Sequence, residues 1–263
     1  MRQIVFKLRD GALRSGAAEV PVDVSPLTPD KLFGEGEDEI KSTKVWWGNR
    51  QENVERIFEV SVSGDASSAE EVKVVFEGEL RKVKRIGYEM SAGEIVAEGS
   101  VGMHCGARMR GGRITVNGSA DCWAGCEMHG GTLIIEGDAG DNLCACYRGE
   151  TTGMTGGTVV VKGNAGECIA QYMAGGEITV RGNADMLAGL DMKGGKIVIE
   201  GDAVMPGANM SGGEIIVKGK VIDMMPSFKY EETVTIDGEE YKKYRGDFAI
   251  GEKKAKGTLL IRS

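Results

Sequence analysis

Six cysteines, Cys105, Cys122, Cys126, Cys144, Cys146 and Cys168, crowd into one part of a 263-residue chain. Thiolates so grouped could hold zinc or an iron–sulfur cluster, but that needs four convergent ligands. These six form no Cys-x-x-Cys pair, and a disulfide framework does not suit a cytosolic chain. The only histidines, His104 and His129, complete neither a Ser–His–Asp set nor a His-Glu-x-x-His motif, so hydrolytic chemistry has no visible carrier. Seven methionines (90, 109, 128, 154, 173, 192 and 210) recur regularly, and thioethers can ligate soft metals. Glycine pairs recur as well, without the Lys-Ser/Thr that a phosphate-binding loop requires.

The elements that must position these residues explain most of them. With the second glycine of each pair as a mark, and Gly93 of Ala92-Gly93 in the same place in the first coil (Gly93, Gly112, Gly131, Gly157, Gly176, Gly195, Gly213), the steps are 19, 19, 26, 19, 19 and 18 residues. A methionine stands three residues before every mark and a further glycine six after it. Aliphatic residues at two and four after the mark, such as Ile178/Val180 and Ile197/Ile199, alternate with period two. That is a short strand with one buried face, and a period near 20 makes it a solenoid. The leucine-rich LxxLxLxxN pattern is absent. Each coil is expected to run strand, corner, small inward residue (Val101, Ala120, Ala139, Ala165, Ala184, Ala203, Val221), second strand, methionine, corner. The corner glycines after the first strand, followed by Asn or Asp (Gly163-Asn164, Gly182-Asn183, Gly201-Asp202), suit a positive φ. The fold class is therefore all-β, a parallel β-helix. Its methionines form an internal ladder. Cys105, Cys126 and Cys144 fall in core columns as small hydrophobes, and His129 falls in a mostly polar column.

Glycine, 41 residues, is twice its usual share, and net charge is −8. The charge argues against nucleic acid or an anionic membrane as partner. The opening MRQIVFKLRD lacks a signal-peptide core, and no apolar run approaches the roughly 20 residues of a membrane span. The cytoplasm is the expected location. Outside the prism, charged columns of mixed sign flank a stripe of Val96, Thr115, Ile134, Val160, Thr179, Val198 and Ile216. Such a stripe suits a subunit interface, and strand propensity alone also favours these residues. The 26-residue step inserts about seven residues, 147–153, whose Arg148 and Glu150 make it either a binding loop or a tolerated bulge.

Three segments follow: an N-terminal cap over 1–52, the β-helix over 53–222 and a C-terminal cap or extension over 223–263. In the first, QIVFKL reads as a strand and SPLTPDKLFG as a turn with a short helix. IFEVSVSGDA (57–66) and VKVVFEGE (72–79) look like degenerate opening coils. Asp237-Gly238 reads as a hairpin turn, and KGTLLIRS as one more strand. Solenoid ends need covering against edge-to-edge aggregation.

The GxxMxGGxIxVxGNA repeat, with WWGN at 46–49 and VIDMMPSF at 221–228, closely resembles the glutamate-synthase C-terminal-domain superfamily. Within it, the chain is similar to the family of formylmethanofuran dehydrogenase C subunits over about residues 45–250. The resemblance implies a right-handed β-helix inside a cytoplasmic complex of methanogenic archaea that reduces CO2 and fixes it as formylmethanofuran. In that family a tungsten- or molybdenum-pterin subunit reduces CO2, an amidohydrolase subunit with a dinuclear metal site makes formylmethanofuran, and iron–sulfur subunits deliver electrons. The β-helix subunit is implied to be a scaffold. No catalytic, cofactor-binding or metal-binding residue carries over to this chain. Two relatives of the same shape remain open: the C subunit of the formyltransferase/hydrolase complex of methylotrophic bacteria, and a stand-alone glutamate-synthase-like module. An autonomous enzyme with a site on one β-helix face would need clustered carboxylates or bases that the mixed outward columns do not offer.

Overall fold

Alternation along a strand sends successive side chains to opposite faces, and the rungs of the computed structural model, which describes residues 1–263, follow it. The principal strands are β1 (Arg2–Leu8), β2 (Val22–Asp23), β3 (Lys44–Trp47), β4 (Arg50–Asn53), β5 (Phe58–Ser63), β6 (Val72–Glu77), β7 (Val83–Lys84) and β8 (Glu94–Ala97). They continue with β9 (Arg113–Val116), β10 (Thr132–Ile135), β11 (Thr158–Val161), β12 (Glu177–Val180), β13 (Lys196–Ile199) and β14 (Glu214–Val217), and end with β15 (Lys229–Ile236), β16 (Glu239–Gly246) and β17 (Gly257–Arg262). One 13-stranded sheet runs β15-β16-β17-β14-β13-β12-β11-β10-β9-β8-β6-β1-β5. From β6 through β14 every neighbour in this sheet is parallel and in register, Ile95 on Ile114 on Leu133 on Val159 and onward. The 26-residue step preserves that register, so its extra residues leave the stack from elsewhere in the coil. The chain is all-β and β-helix-like, as the period predicts.

The methionine ladder is present, with all seven fully buried. Its partner is the mark glycine of the next coil: a Cβ on Gly157 would lie 2.8 Å from Met128 Cε, and one on Gly176 2.6 Å from Met154 Cε. The two residues recur together because the methyl group occupies the space a side chain would need.

Three expectations are corrected. Positive φ belongs to the marks, +96° at Gly157 for example, and not to the corner glycines Gly163, Gly182 and Gly201. The corners need glycine because the coils touch there: a Cβ on Gly182 would sit 2.7 Å from the Gly163 carbonyl oxygen. The Asn, Asp and Ser beside them serve as rungs. Ser119 N–H donates to Ser100 Oγ (3.0 Å), Asp138 N–H to Ser119 Oγ (3.1 Å) and Asn164 N–H to Asp138 Oδ1 (2.7 Å). The series continues from Asn183 to Asn164 (2.9 Å), from Asp202 to Asn183 (2.8 Å) and from Lys220 to Asp202 (2.7 Å).

The second correction concerns the second strand. It exists only as the short pieces Ala184–Met186, Ala203–Val204 and Val221–Asp223. In the earlier coils only single bridges join the small column, Val101 to Ala120 to Ala139 to Ala165. The chain beyond turns with left-handed residues such as His104, Gly106 and Arg108 in one coil and Trp123, Gly125 and Glu127 in the next. Those turns still bond between coils, His104 N–H to Cys122 O (3.1 Å) and Gly125 N–H to Cys105 O (2.8 Å). Their backbone is therefore satisfied without an extended strand.

At the N-terminal end β6 forms a regular rung, as expected of 72–79. β5, within the expected coil 57–66, instead runs antiparallel to β1 as the sheet's edge. Phe6, Phe58 and Phe76 fill this end of the prism, Phe6 stacked on Phe76 with centroids 5.2 Å apart. The short helix α1 (Pro29–Leu32) presses Pro29 against Gly93, where the next methionine of the ladder would stand. β2, β3, β4 and β7 form a second sheet in the order β4-β3-β2-β7. At the other end β17 stacks on β14, and the β15–β16 hairpin turns at Asp237 and Gly238, both of positive φ, as a DG turn requires.

Candidate functional site: an arginine–aromatic flank and an outward stripe

The left-handed turns of the first coils carry their side chains on one flank, and there the chain places its polar chemistry. Arg108 Nε donates to Glu127 Oε2 (2.8 Å) one coil above, and Arg108 Nη1 to the Tyr88 hydroxyl (3.3 Å). Glu127 is 8% exposed, so its charge is held by partners rather than water. Its second oxygen accepts the Tyr147 N–H (3.0 Å). Tyr147 stacks on Trp123 (5.7 Å) and lies under the Arg108 guanidinium (5.3 Å), and its hydroxyl meets His104 Nδ1 (3.1 Å). Burial raises the Tyr147 hydroxyl pKa, and the Glu127 hydrogen bond raises that of Arg108. Burial, then Arg85 and Lys84, lower that of His104, which stays neutral at pH 7.

Tyr147 opens the insert, so this network is its anchor. Farther along, Cys146 Sγ donates to Glu150 O (3.3 Å), Gly153 N–H to Tyr172 O (2.9 Å), and Lys193 Nζ holds Thr151 O. Arg148 and Glu150 stand exposed on the anchored loop and line a recess of about 440 Å3 with Trp123, Tyr147 and Tyr172.

The stripe residues are brought together as one outward column, Val96 to Thr115, Ile134, Val160, Thr179, Val198 and Ile216 in continuous register. Salt bridges between vertical neighbours rim it: Lys73–Glu94 (3.4 Å), Lys162–Glu136 (2.6 Å), Lys196–Glu214 (3.3 Å) and Lys218–Glu200 (3.6 Å). Its ends differ from its middle. Ile216 is 7% exposed, packed with Leu260 of β17 and Tyr241 of the hairpin, and Val96 is 8% exposed. Thr115, Ile134, Val160 and Thr179 remain half-open.

Cys105, Cys126 and Cys144 are buried as their columns predict. Burial pushes the Cys105 thiol up to about 12 and raises Cys126 and Cys144 too. These are protonated sulfurs. No three His, Cys, Asp or Glu side chains converge as metal ligands. His129 is exposed, its Nδ1 2.9 Å from Thr155 Oγ1. The flank is not predicted from the sequence. One signal points to it: Arg108 and Glu127 occupy the same repeat position in adjacent coils, as do His104 and Trp123.

The architecture defines a class, a glycine-cornered β-solenoid whose differentiated surfaces are one flat ladder face and one arginine–aromatic flank. No family model matches the chain. Curated relatives do: the C subunit of tungsten-containing formylmethanofuran dehydrogenase 2 of Methanothermobacter marburgensis is 44% identical over 34% of this chain and 33% of its own. The C subunit of molybdenum-containing formylmethanofuran dehydrogenase 1 of Methanosarcina barkeri is 41% identical over 34% of this chain and 29% of its own. The matched stretch thus spans about a third of those relatives. A chain in the crystal structure of the formyltransferase/hydrolase complex from Methylorubrum extorquens, in complex with methylofuran, superposes over 98% of this chain and 99% of that one. The TM-score is 0.84 and the identity 28%. The chain is thus similar to formylmethanofuran dehydrogenase C subunits over about a third of its length, and in its fold to a chain of the formyltransferase/hydrolase complex over nearly all of it. No helix is long and apolar enough to cross a membrane.

Proposed function

We propose that this chain is a non-catalytic scaffold subunit of a formylmethanofuran dehydrogenase, the complex that reduces CO2 and fixes it as formylmethanofuran in methanogenesis. The observation that carries this reading is the pair of comparisons: relatives named as the C subunit of that enzyme, and a near full-length likeness to a chain of a formyltransferase/hydrolase complex. The geometry supports it. Buried thiols are protonated, the flank's charges are spent on one another, and a charge-rimmed dry column is the surface a subunit interface uses. The solenoid is read as a right-handed parallel β-helix over 53–222, capped by 1–52 and 223–263, in the cytoplasm of an archaeon. Its column Thr115, Ile134, Val160 and Thr179 and its loop at Arg148 and Glu150 face partners. Those partners carry the tungsten- or molybdenum-pterin, the iron–sulfur clusters and the dinuclear metal site; this chain binds none of them.

The structural likeness favours a second reading equally, a subunit of a formyltransferase/hydrolase complex. Native mass spectrometry of the protein recovered from its own cells, beside the chain expressed alone, separates the two. Co-recovery with a pterin-metal subunit and an amidohydrolase supports the dehydrogenase, and co-recovery with formyltransferase and hydrolase chains alone supports the second reading. Formyl-transfer or hydrolase activity from the lone chain would sink both. Thr115→Arg with Val160→Arg is expected to release partners while leaving the solenoid folded.

A further inference from the structure

A recess of about 570 Å3 opens where the small sheet meets the first coils, lined by Asp23, Ser25, Trp46, Lys84, Arg85 and His104 among others. Its floor is a rigid row. Trp46 pairs directly with Asp23 and Asp23 with Lys84, so the three side chains share one sheet face. Next to them Arg85 binds Asp23 and lies over the Tyr88 ring (5.4 Å). Arg85 Nε is buried and has no hydrogen-bond partner in the protein. His104 has Nδ1 engaged by Tyr147, and its Nε2 is free of protein partners. Trp46 presents its indole 48% exposed, the only large apolar surface in the recess.

We propose that this recess binds a single carboxylate attached to a flat apolar group, the carboxylate on Arg85 and Lys84 and the flat group on Trp46. Charge selects the carboxylate. With His104 neutral, Lys84 and Arg85 bring two positive charges and Asp23 one negative, 2 − 1 = +1, in a chain of net charge −8. That balance matches a monoanion better than a phosphate dianion. Arg85, with Nη1 engaged by Asp23, keeps its other guanidinium nitrogen Nη2 for a carboxylate, and Lys84 adds a point charge across Asp23 from the indole. The site stands on this chain's own residues and is independent of which complex the chain joins.

The test uses benzoate as probe on the full-length chain, followed by NMR at the Trp46 indole N–H. Benzoate is expected to titrate that resonance to a single-site plateau. Lys84→Gln and Trp46→Ala are each expected to weaken it about tenfold without moving the thermal midpoint, because both side chains lie partly in solvent. An unperturbed indole, unchanged affinity in both variants, or inorganic phosphate competing as tightly as benzoate would each overturn the proposal. The same titration on the complex recovered from cells assigns the occupant. Retained binding is expected for a free aromatic acid as occupant, and loss of binding on assembly would overturn that occupant.

Discussion

Met128 and Gly157 show how single residues are coupled in this chain, because the methyl of one fills the space above the other. Met128→Ala empties part of a fully buried column and is expected to cost about 2–5 kcal/mol in urea unfolding. Gly157→Ala meets three obstacles: the positive φ, Met128 Cε, and the Gly131 carbonyl oxygen at 2.8 Å. The double variant should therefore cost less than the sum of the two singles, yet not return to the cost of Met128→Ala, because the backbone obstacle stays. Asp247 offers a second test. It is fully buried and accepts from Ser227 Oγ, Ala249 N–H (2.9 Å) and Asn209 N–H (3.0 Å), linking the hairpin to the last coil. Burial raises its pKa, but these hydrogen bonds outweigh burial and hold it below the usual value. A lowered carboxylate stabilises the fold above the unfolded-state pKa of about 3.9, and that stability is lost as pH falls through the native value. Asp247→Asn should flatten the acid limb of a stability-versus-pH curve below about pH 4 and lower the neutral plateau; an unchanged acid limb would refute the linkage.

The insert is an element anchored at its start by one aromatic side chain. Tyr147 has its ring between Trp123 and Arg108, its N–H on Glu127 and its hydroxyl on His104. Glu127→Ala removes the acceptor of both the Tyr147 N–H and Arg108, and should cost about 2–3 kcal/mol. Amide exchange over 147–153 should accelerate more than over the rungs. Tyr147→Phe keeps the stack and should loosen the loop far less. Equal acceleration in the two variants would mean that the hydroxyl anchors the loop as much as the carboxylate does. The rungs themselves follow a simpler rule. Each polar corner residue accepts one N–H from the next coil, so the series from Ser100 to Asp202 repeats one small contribution of about 0.5–1.5 kcal/mol per bond.

At the scale of the molecule the sheet has two ends, and each is finished differently. The N-terminal end is filled by three phenylalanines and edged by the antiparallel β5. The C-terminal end is closed by β17 and by the β15–β16 hairpin, which lays Tyr241 beside Ile216 and Leu260 on the outward face. Truncation after Val221 would strip β17 from β14 and uncover an open parallel edge. Such a chain is expected to aggregate in sedimentation velocity at concentrations where the full chain does not. Rungs that bury their apolar faces only by stacking make a cooperative body, so one unfolding transition is expected for the intact chain.

The repeat made much of this fold legible. The methionine ladder, the inward aliphatic pairs, the outward stripe and the buried Cys105, Cys126 and Cys144 all follow from period and register, because a stacked coil assigns each position one fixed environment; the DG hairpin follows from its turn residues. Less legible were features set by contact between coils. The corner glycines were expected to turn through positive φ, whereas close approach of successive coils is what excludes their side chains. The second strand was expected from alternation, whereas left-handed turns satisfy the same hydrogen bonds. The flank joins residues of adjacent coils, Arg108 with Glu127 and Trp123 with Tyr147, and the recess joins Trp46, Asp23 and Lys84 across strands far apart in the chain. Sequence alone determined the solenoid and its interior, since periodicity is a local property. Only the tertiary structure decided the surfaces, because which side chains face one another across coils depends on how tightly the coils stack and where the non-repeating ends fold back.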